Sequence, residues 1–494
     1  MTMFSQLFRL SSHSVIYSLS YAVSQLVGFF LLPVYTRYFS PNDYGILEVL
    51  QVTMAFGAIF YVLGLSTALF KWYFQYDDEE HRQKIINTIF IFVTASSLIF
   101  TLILVALSET FSSLFFDSTE YTTHFRLVFI TLFFLAGTMI ELSVLRAREQ
   151  PVRYALVSTT QFVLNMVFII IFVVGLERGV KGAIEGNLIA AGLVYFGLTI
   201  SLMQRSGISF DRKRLFEMLA FGLPLVPSGI ASIILTMSDR YLLQFLSTTD
   251  EVGLYSLGYK LGFVVNVIIV QPFTLAWAPF VFSMAKENNA AQIYSRVLTY
   301  VMAVGVFFAL ALAMLSLEFV NIMATPPFYG AHKVVPLIAL SYVFYGAYFA
   351  MLVGILLEAK TKYIMLIVSC VAALNVGLNY ILIPHYGMMG AAIATLICYA
   401  IMPIGAFVFA RKFFKVDYEW LRIGKILVVG GIIYSGSLFI SNESAYVAGL
   451  FKLLALLTYP ILLYLFRFYR DDEINKAKDM IRIASGYLKS RING

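Results

Sequence analysis

The residues in this sequence equipped to do chemistry are charged side chains set deep inside apolar stretches. Lys260 stands seven residues past Gly253, ~10 Å along a helix, with Tyr255 and Tyr259 close by. Asp239 and Arg240 lie about the same distance before Ser247, Arg37 three residues before Ser40, and Glu48 just inside the stretch that follows. Insertion scales penalise a charge at the centre of a membrane helix by about 2.5–3.5 kcal/mol, so such groups tend to face a cavity or one another. Each has a plainer alternative. Lys260 and Arg37 can extend their ends to the membrane surface, Asp239 and Arg240 can form a local ion pair, and Glu48 can pair with Arg37 or carry a proton. If instead they line a cleft, the chemistry is recognition of an anion, because Arg and Lys are the side chains that best hold phosphate oxygens. On that reading Lys260→Ala or Arg240→Ala lowers transport without lowering the amount of protein. Covalent catalysis is not expected, since the chain has no paired metal-ligand spacing, Gly-rich phosphate loop or nucleophile elbow. No metal or cofactor is implied.

The elements that must position these groups are membrane helices. Of 494 residues, 60% are hydrophobic and 13% charged, with a mean hydropathy of +0.83, whereas about a quarter of a globular protein is charged. Apolar runs long enough to cross ~30 Å of hydrocarbon recur. Fourteen spans are expected, at 11–35, 45–69, 85–107, 124–145, 154–176, 185–203, 218–246, 252–280, 296–318, 334–357, 362–383, 388–409, 424–440 and 446–466. The fold class is therefore an all-α polytopic membrane protein. The net charge of +7 does not point to nucleic acid, because the basic residues sit in short connectors and a tail. Most of them fall on the side that carries both termini, which makes that side cytoplasmic, and the connector from Ser108 to Thr123 on the other side has no Lys or Arg. Cys370 and Cys398 lie within apolar runs and read as lipid-facing or core filler.

The chain is written twice. Phe39-Ser40, Asp43 and Gly45 align with Leu246-Ser247, Asp250 and Gly253 if one residue is inserted. Leu145-Arg146-Ala147-Arg148 is answered by Leu357-Glu358-Ala359-Lys360, Leu164-Asn165 by Leu374-Asn375, and Gly182-Ala183 by Gly390-Ala391, at offsets of about 207 to 212. Six spans precede the second copy, an even number, so the halves are related by an axis along the membrane normal and leave a central cleft that rocking exposes to either side. The expected bodies are a six-helix lobe at 1–203, a second at 204–410, two further helices at 411–466, and a basic amphipathic cytoplasmic tail at 467–494 that lies on the inner leaflet. Pro224, Pro227, Pro272 and Pro279 should break or bend the seventh and eighth spans.

The stretches TRYFSPNDYGILEV, PLVPSG and SDRYLLQFLSTTDEVGLYSLGYK resemble the Wzx-type oligosaccharide flippases, in the polysaccharide-transporter branch of the MATE-like MOP exporter superfamily. The resemblance covers nearly the whole chain, including the six-plus-six-plus-two arrangement. It implies translocation of polyprenyl-diphosphate-linked oligosaccharide across the bacterial plasma (inner) membrane for surface polysaccharide such as O-antigen, among membrane lipids and alongside polysaccharide polymerase machinery. Carried onto this chain, it gives Arg37, Arg240 and Lys260 the substrate-binding cavity or outer-gate role, with Asp239, Glu48, Asp43 and Asp250 as gate or ion-coupling partners. A drug or cation antiporter of the same superfamily is the alternative, and would need buried carboxylates in the first half, where Glu48 and Glu141 are the candidates within spans. A membrane enzyme would need a long outer loop bearing acidic residues, and the connectors are short.

Overall fold

The computed structural model describes residues 29–203, 209–440, 445–471 and 473–475. Most of the first expected span and most of the tail from 467 to 494 lie outside them. The first copy comprises α1 (Leu32–Tyr38), α2 (Pro41–Val62), α3 (Leu65–Tyr73), α4 (Glu79–Ala106), α5 (Ser108–Phe116), α6 (Thr122–Ala147), α7 (Pro151–Ile170) and α8 (Gly179–Met203), with a π-helical segment Ile171–Gly175 after α7. The second comprises α9 (Arg212–Gly222), α10 (Val226–Leu246), α11 (Thr249–Gly262), α12 (Gln271–Met284), α13 (Ala290–Met314), α14 (Ser316–Met323), α15 (Val335–Met351), α16 (Val353–Leu357) and α17 (Lys362–Ala410). Then come α18 (Trp420–Ser437) and α19 (Ala445–Leu465).

Ten helical stretches among the described residues are long and apolar enough to cross a membrane, or eleven with the bent pair Pro326–Lys333 and Val335–Met351 counted as one span. The protein is a multi-pass membrane protein; by this measure fourteen is not reached. Part of the difference lies in α17, whose 49 residues would measure ~73 Å, more than twice the hydrocarbon thickness. Its backbone turns at Gly387 (φ 53°, ψ −132°), a conformation glycine adopts without a Cβ penalty, inside the connector expected between 383 and 388. Pro224, Pro227 and Pro272 fall at interruptions as expected, whereas Pro279 lies inside the continuous α12. Pro224 sits in a 3₁₀ turn, Leu223–Leu225, that separates α9 from α10, and the π segment Asn266–Val270 precedes Pro272 at the start of α12.

Helix caps and turn conformations correct the register of the repeat. Ser40 caps α2 by accepting from the Asp43 amide, and Thr248 caps α11 by accepting from the Glu251 amide. Ser40 therefore matches Thr248, Asp43 matches Glu251 rather than Asp250, and Gly45 matches Gly253, with no inserted residue. Likewise the left-handed residues Glu149 and Ala359 fix the ends of α6 and α16 two residues away from the alignment of Arg148 with Lys360. Asn165 and Asn375 keep that spacing. The π segment after α7 then absorbs two residues before the left-handed Gly179 and Gly387 come into step.

The copies meet most closely where α2 crosses α11. A Cβ on Gly45 would lie 2.0 Å from the Thr249 carbonyl oxygen, and one on Gly253 would lie 2.0 Å from that of Pro41. The crossing is reciprocal, as the repeat demands, and only glycine permits it. We call this the cap end. Around it Thr36 Oγ1 donates to the Met323 carbonyl at 2.8 Å, and Thr325 Oγ1 to that of Thr36 at 2.6 Å. Apolar packing joins them: Leu257, Leu261 and Phe328 of the second copy lie in one core with Tyr44, Leu47 and Leu50 of the first. At the opposite end Asn87 Nδ2 donates to Ser209 Oγ at 3.0 Å, and Lys84 lies 3.6 Å from Asp211. Leu102, Ile103 and Leu421 point outward, as lipid-facing side chains do.

Candidate functional site

Between these two ends α2, α10 and α11 line a cavity of about 350 Å³ at the seam of the two copies. Lys260, in the last turn of α11, reaches across the seam to α2, where Nζ lies 2.5 Å from Glu48 Oε1 and 2.8 Å from Tyr44 Oη. Glu48 is thus partnered by Lys260 and not by Arg37, the pairing considered from sequence. Tyr44 and Glu48 stand one helical turn apart on α2, which is why a single ammonium can meet both.

Arg240 is held differently. Its Nη1 lies 2.9 Å from Asp239 Oδ1 and 3.0 Å from the Thr236 carbonyl, and its guanidinium stacks 4.0 Å from the Tyr259 ring centre. The other Asp239 oxygen accepts from the Tyr255 hydroxyl. The local ion pair is therefore real, with Asp239 and Arg240 3% and 5% exposed. Burial of such a pair holds only where its remaining donors and acceptors are met, and Thr236, Tyr255 and the face of Tyr259 meet several of them.

The four charges sum to zero, so the cavity is not a standing positive well. It is a pair of cations with donors to spare. An ammonium has three N–H groups and a guanidinium five. Lys260 uses two on Glu48 and Tyr44, and Arg240 uses Nη1 while Nε and Nη2 have no protein partner among the described residues. Both side chains line the same cavity, together with Gln51, Tyr259 and Tyr342. An incoming phosphate can take the spare N–H groups without first breaking either ion pair, and charge-assisted bonds of that kind are the stronger class.

The remaining candidates sit elsewhere. Arg37 is exposed in the last turn of α1 and does not line this cavity. The Asp43 carboxylate takes the Ser40 amide at 3.0 Å and the Ser40 hydroxyl at 2.7 Å, so it serves the helix start. Asp250 is exposed on a groove at the cap end that Asp117 and Tyr121 also line. Glu141 is buried with Oε1 accepting from Thr199 at 2.8 Å and Oε2 without a partner among the described residues, away from the seam cavity. Sequence reasoning passed over Tyr44, Gln51 and Tyr342. The spacing of Tyr44 and Glu48 was a usable signal; nothing local pointed to Tyr342, whose hydroxyl meets that of Tyr259 at 2.6 Å.

The comparisons agree with this architecture. The lipid II flippase MurJ, in an inward closed conformation, superposes with a TM-score of 0.74 over 92% of this chain and 98% of that one, at 18% identity. An inward-facing multidrug resistance MATE family transporter of the MOP superfamily gives 0.65 over 84% and 99%, at 15% identity. At those identities the likeness speaks for the fold. In sequence, Lsg locus protein 1 of Haemophilus influenzae is 24% identical over 285 residues, 56% of this chain and 67% of that protein. Residues 12–286 match the family described as polysaccharide biosynthesis protein, and the chain belongs to that family.

Proposed function

We propose that the protein is a flippase that carries a polyprenyl-diphosphate-linked oligosaccharide across the bacterial plasma membrane for surface polysaccharide synthesis. The observation that carries this reading is the placement of Arg240 and Lys260, each with unspent donors, on one cavity at the seam of the two copies. The family description, polysaccharide biosynthesis, and the fold shared with a lipid II flippase support it. Residues 1–203 and 204–410 would be the moving bodies, with 411–466 as an added pair, both termini cytoplasmic and the cap end facing outward. Alternating access then consists of parting the α2–α11 crossing while the opposite end closes. Arg37, Asp43 and Asp250, all near the cap end, fit gate roles better than contact with the diphosphate. Polysaccharide polymerase machinery would receive the product.

The test is accumulation of lipid-linked saccharide in the inner leaflet. Lys260→Ala should cut export roughly 100-fold, the size expected when a charged donor to a phosphate is lost at about 2–3 kcal/mol. Because that change leaves Glu48 without its partner, the double variant Lys260→Ala with Glu48→Gln is the control. It should reach the membrane in normal amounts and still fail to export. Normal export by the double variant would remove Lys260 from the mechanism, and normal outward delivery in a strain lacking the protein and any paralogue would remove the flippase reading altogether.

A further inference from the structure

A second cavity of about 310 Å³ opens beside the first and shares Gln51 and Lys260 with it. It lies within the first copy, between α1–α2 and α7–α8, and its character follows from the repeat. Four of its lining residues are Leu31, Leu47, Asn165 and Asn187. In the corrected register their second-copy counterparts are Asp239, Tyr255, Asn375 and Thr395. Those four are packed solid: Asp239 and Tyr255 are bonded to each other, Tyr255 lies 3.5 Å from Thr395, and Asn375 receives a bond from Ser238. All are at most 3% exposed. In the first copy, leucines stand where the ion-pair carboxylate and its tyrosine would be, and the same place in the fold is hollow.

Apart from Lys260, the polar groups on its walls are neutral, Gln51, Asn165 and Asn187, set among apolar side chains such as Met54, Ile169 and Ile184. Asn165 Nδ2 donates to Asn187 Oδ1 at 2.8 Å, which leaves Asn165 Oδ1 and both N–H groups of Asn187 without a protein partner among the described residues. Gln51 likewise makes no bond to another described residue, so its carboxamide offers an acceptor and two donors. Half-buried carboxamides that face a chamber of small-molecule size, with no charge among its described lining residues except Lys260, suit a ligand rich in hydroxyls. They do not suit an anion.

We infer that this first-copy chamber is a saccharide subsite. The diphosphate is held at Lys260 and Arg240, and the first sugars of the headgroup lie against Gln51, Asn165 and Asn187. The inference rests on the flippase reading above and adds to it the group that reads the sugar.

Binding of two lipids to the purified full-length protein in nanodiscs tests it. One is bare polyprenyl diphosphate; the other is the glycosylated pool extracted from the protein's own host. The variants are Asn187→Ala, and the pair Asn165→Leu with Asn187→Leu, which removes both partners of the internal bond at once and so leaves neither unpaired. The glycosylated lipid should bind wild type about tenfold more tightly than the bare one, and both variants should lose that advantage while holding the bare lipid within about twofold of wild type. Variants that keep the advantage, or that weaken both lipids equally, overturn the saccharide assignment while leaving the flippase reading intact, provided Lys260→Ala weakens both lipids. If wild type binds neither lipid, the flippase reading fails and this inference fails with it.

Discussion

Gly253→Val should abolish export and leave the transporter unable to seal its cap end. A Cβ at that position would sit 2.0 Å from the Pro41 carbonyl oxygen and 3.1 Å from the Gly45 nitrogen. Both are backbone atoms, so no rotamer relieves the clash and the two helices must separate. Overpacking of this kind costs about 1–3 kcal/mol. Because it falls only on the sealed arrangement, it acts as a population shift toward the open one by up to ~150-fold. Gly45→Val should do the same from the other side, since its Cβ would meet Thr249. The check is reaction of a membrane-impermeant thiol reagent with a cysteine placed at Tyr44, in a background lacking Cys370 and Cys398. Labelling from the cap-end face should rise sharply in either glycine variant and stay low without it. Wild-type export by Gly253→Val would mean that the crossing is not part of the transport cycle.

The second large effect is expected at the buried pair. Asp239→Ala leaves the Arg240 guanidinium enclosed with only the Thr236 carbonyl and the tyrosine faces, and breaking one side of a buried ion pair costs about 3–5 kcal/mol. Thermal unfolding in detergent should shift downward accordingly, and membrane abundance should drop. Arg240→Ala should also lower abundance, contrary to the expectation from sequence that it would spare the protein, because Asp239 then keeps only Tyr255 and the Arg240 amide. The double change Asp239→Leu with Arg240→Met separates structure from function: it removes both charges, should recover most of the stability, and should remain inactive. Full export by that double variant would show that the pair serves the fold alone. An Asp239→Ala protein as stable as wild type would show that the site is wetter than the geometry implies.

Much of the fold was legible because it is written in local signals. The doubled glycines announced the repeat, and Pro224, Pro227 and Pro272 marked where two long spans are interrupted. The exact register was harder, since Ser247, Thr248 and Thr249 stand in a row and only the observed cap tells which one begins α11. In the site, Lys260, Arg240, Asp239 and Glu48 were found by the rule that a charge in an apolar span has a reason to be there. Their pairings were not all found. Asp239 and Arg240 are neighbours in sequence, but Glu48 and Lys260 are 212 positions apart, and no local pattern links them. Arg37 is not among the residues lining the seam cavity: its place in the repeat says where it stands along the helix and not which way it faces.

Glu251 does two jobs at once. It sits in the first turn of α11, beside the glycine crossing, and its carboxylate also accepts from the Ser247 hydroxyl at 2.6 Å and the Met388 amide at 2.9 Å, just past the break at Gly387. Met388 begins the half-helix that carries Thr395 and Tyr399, which pack over Tyr255 and Tyr342. A tilt of α11 would therefore not stop at the glycine crossing: one acidic side chain, acting as a lever pin, would carry it to the half-helix packed against Tyr255 and Tyr342.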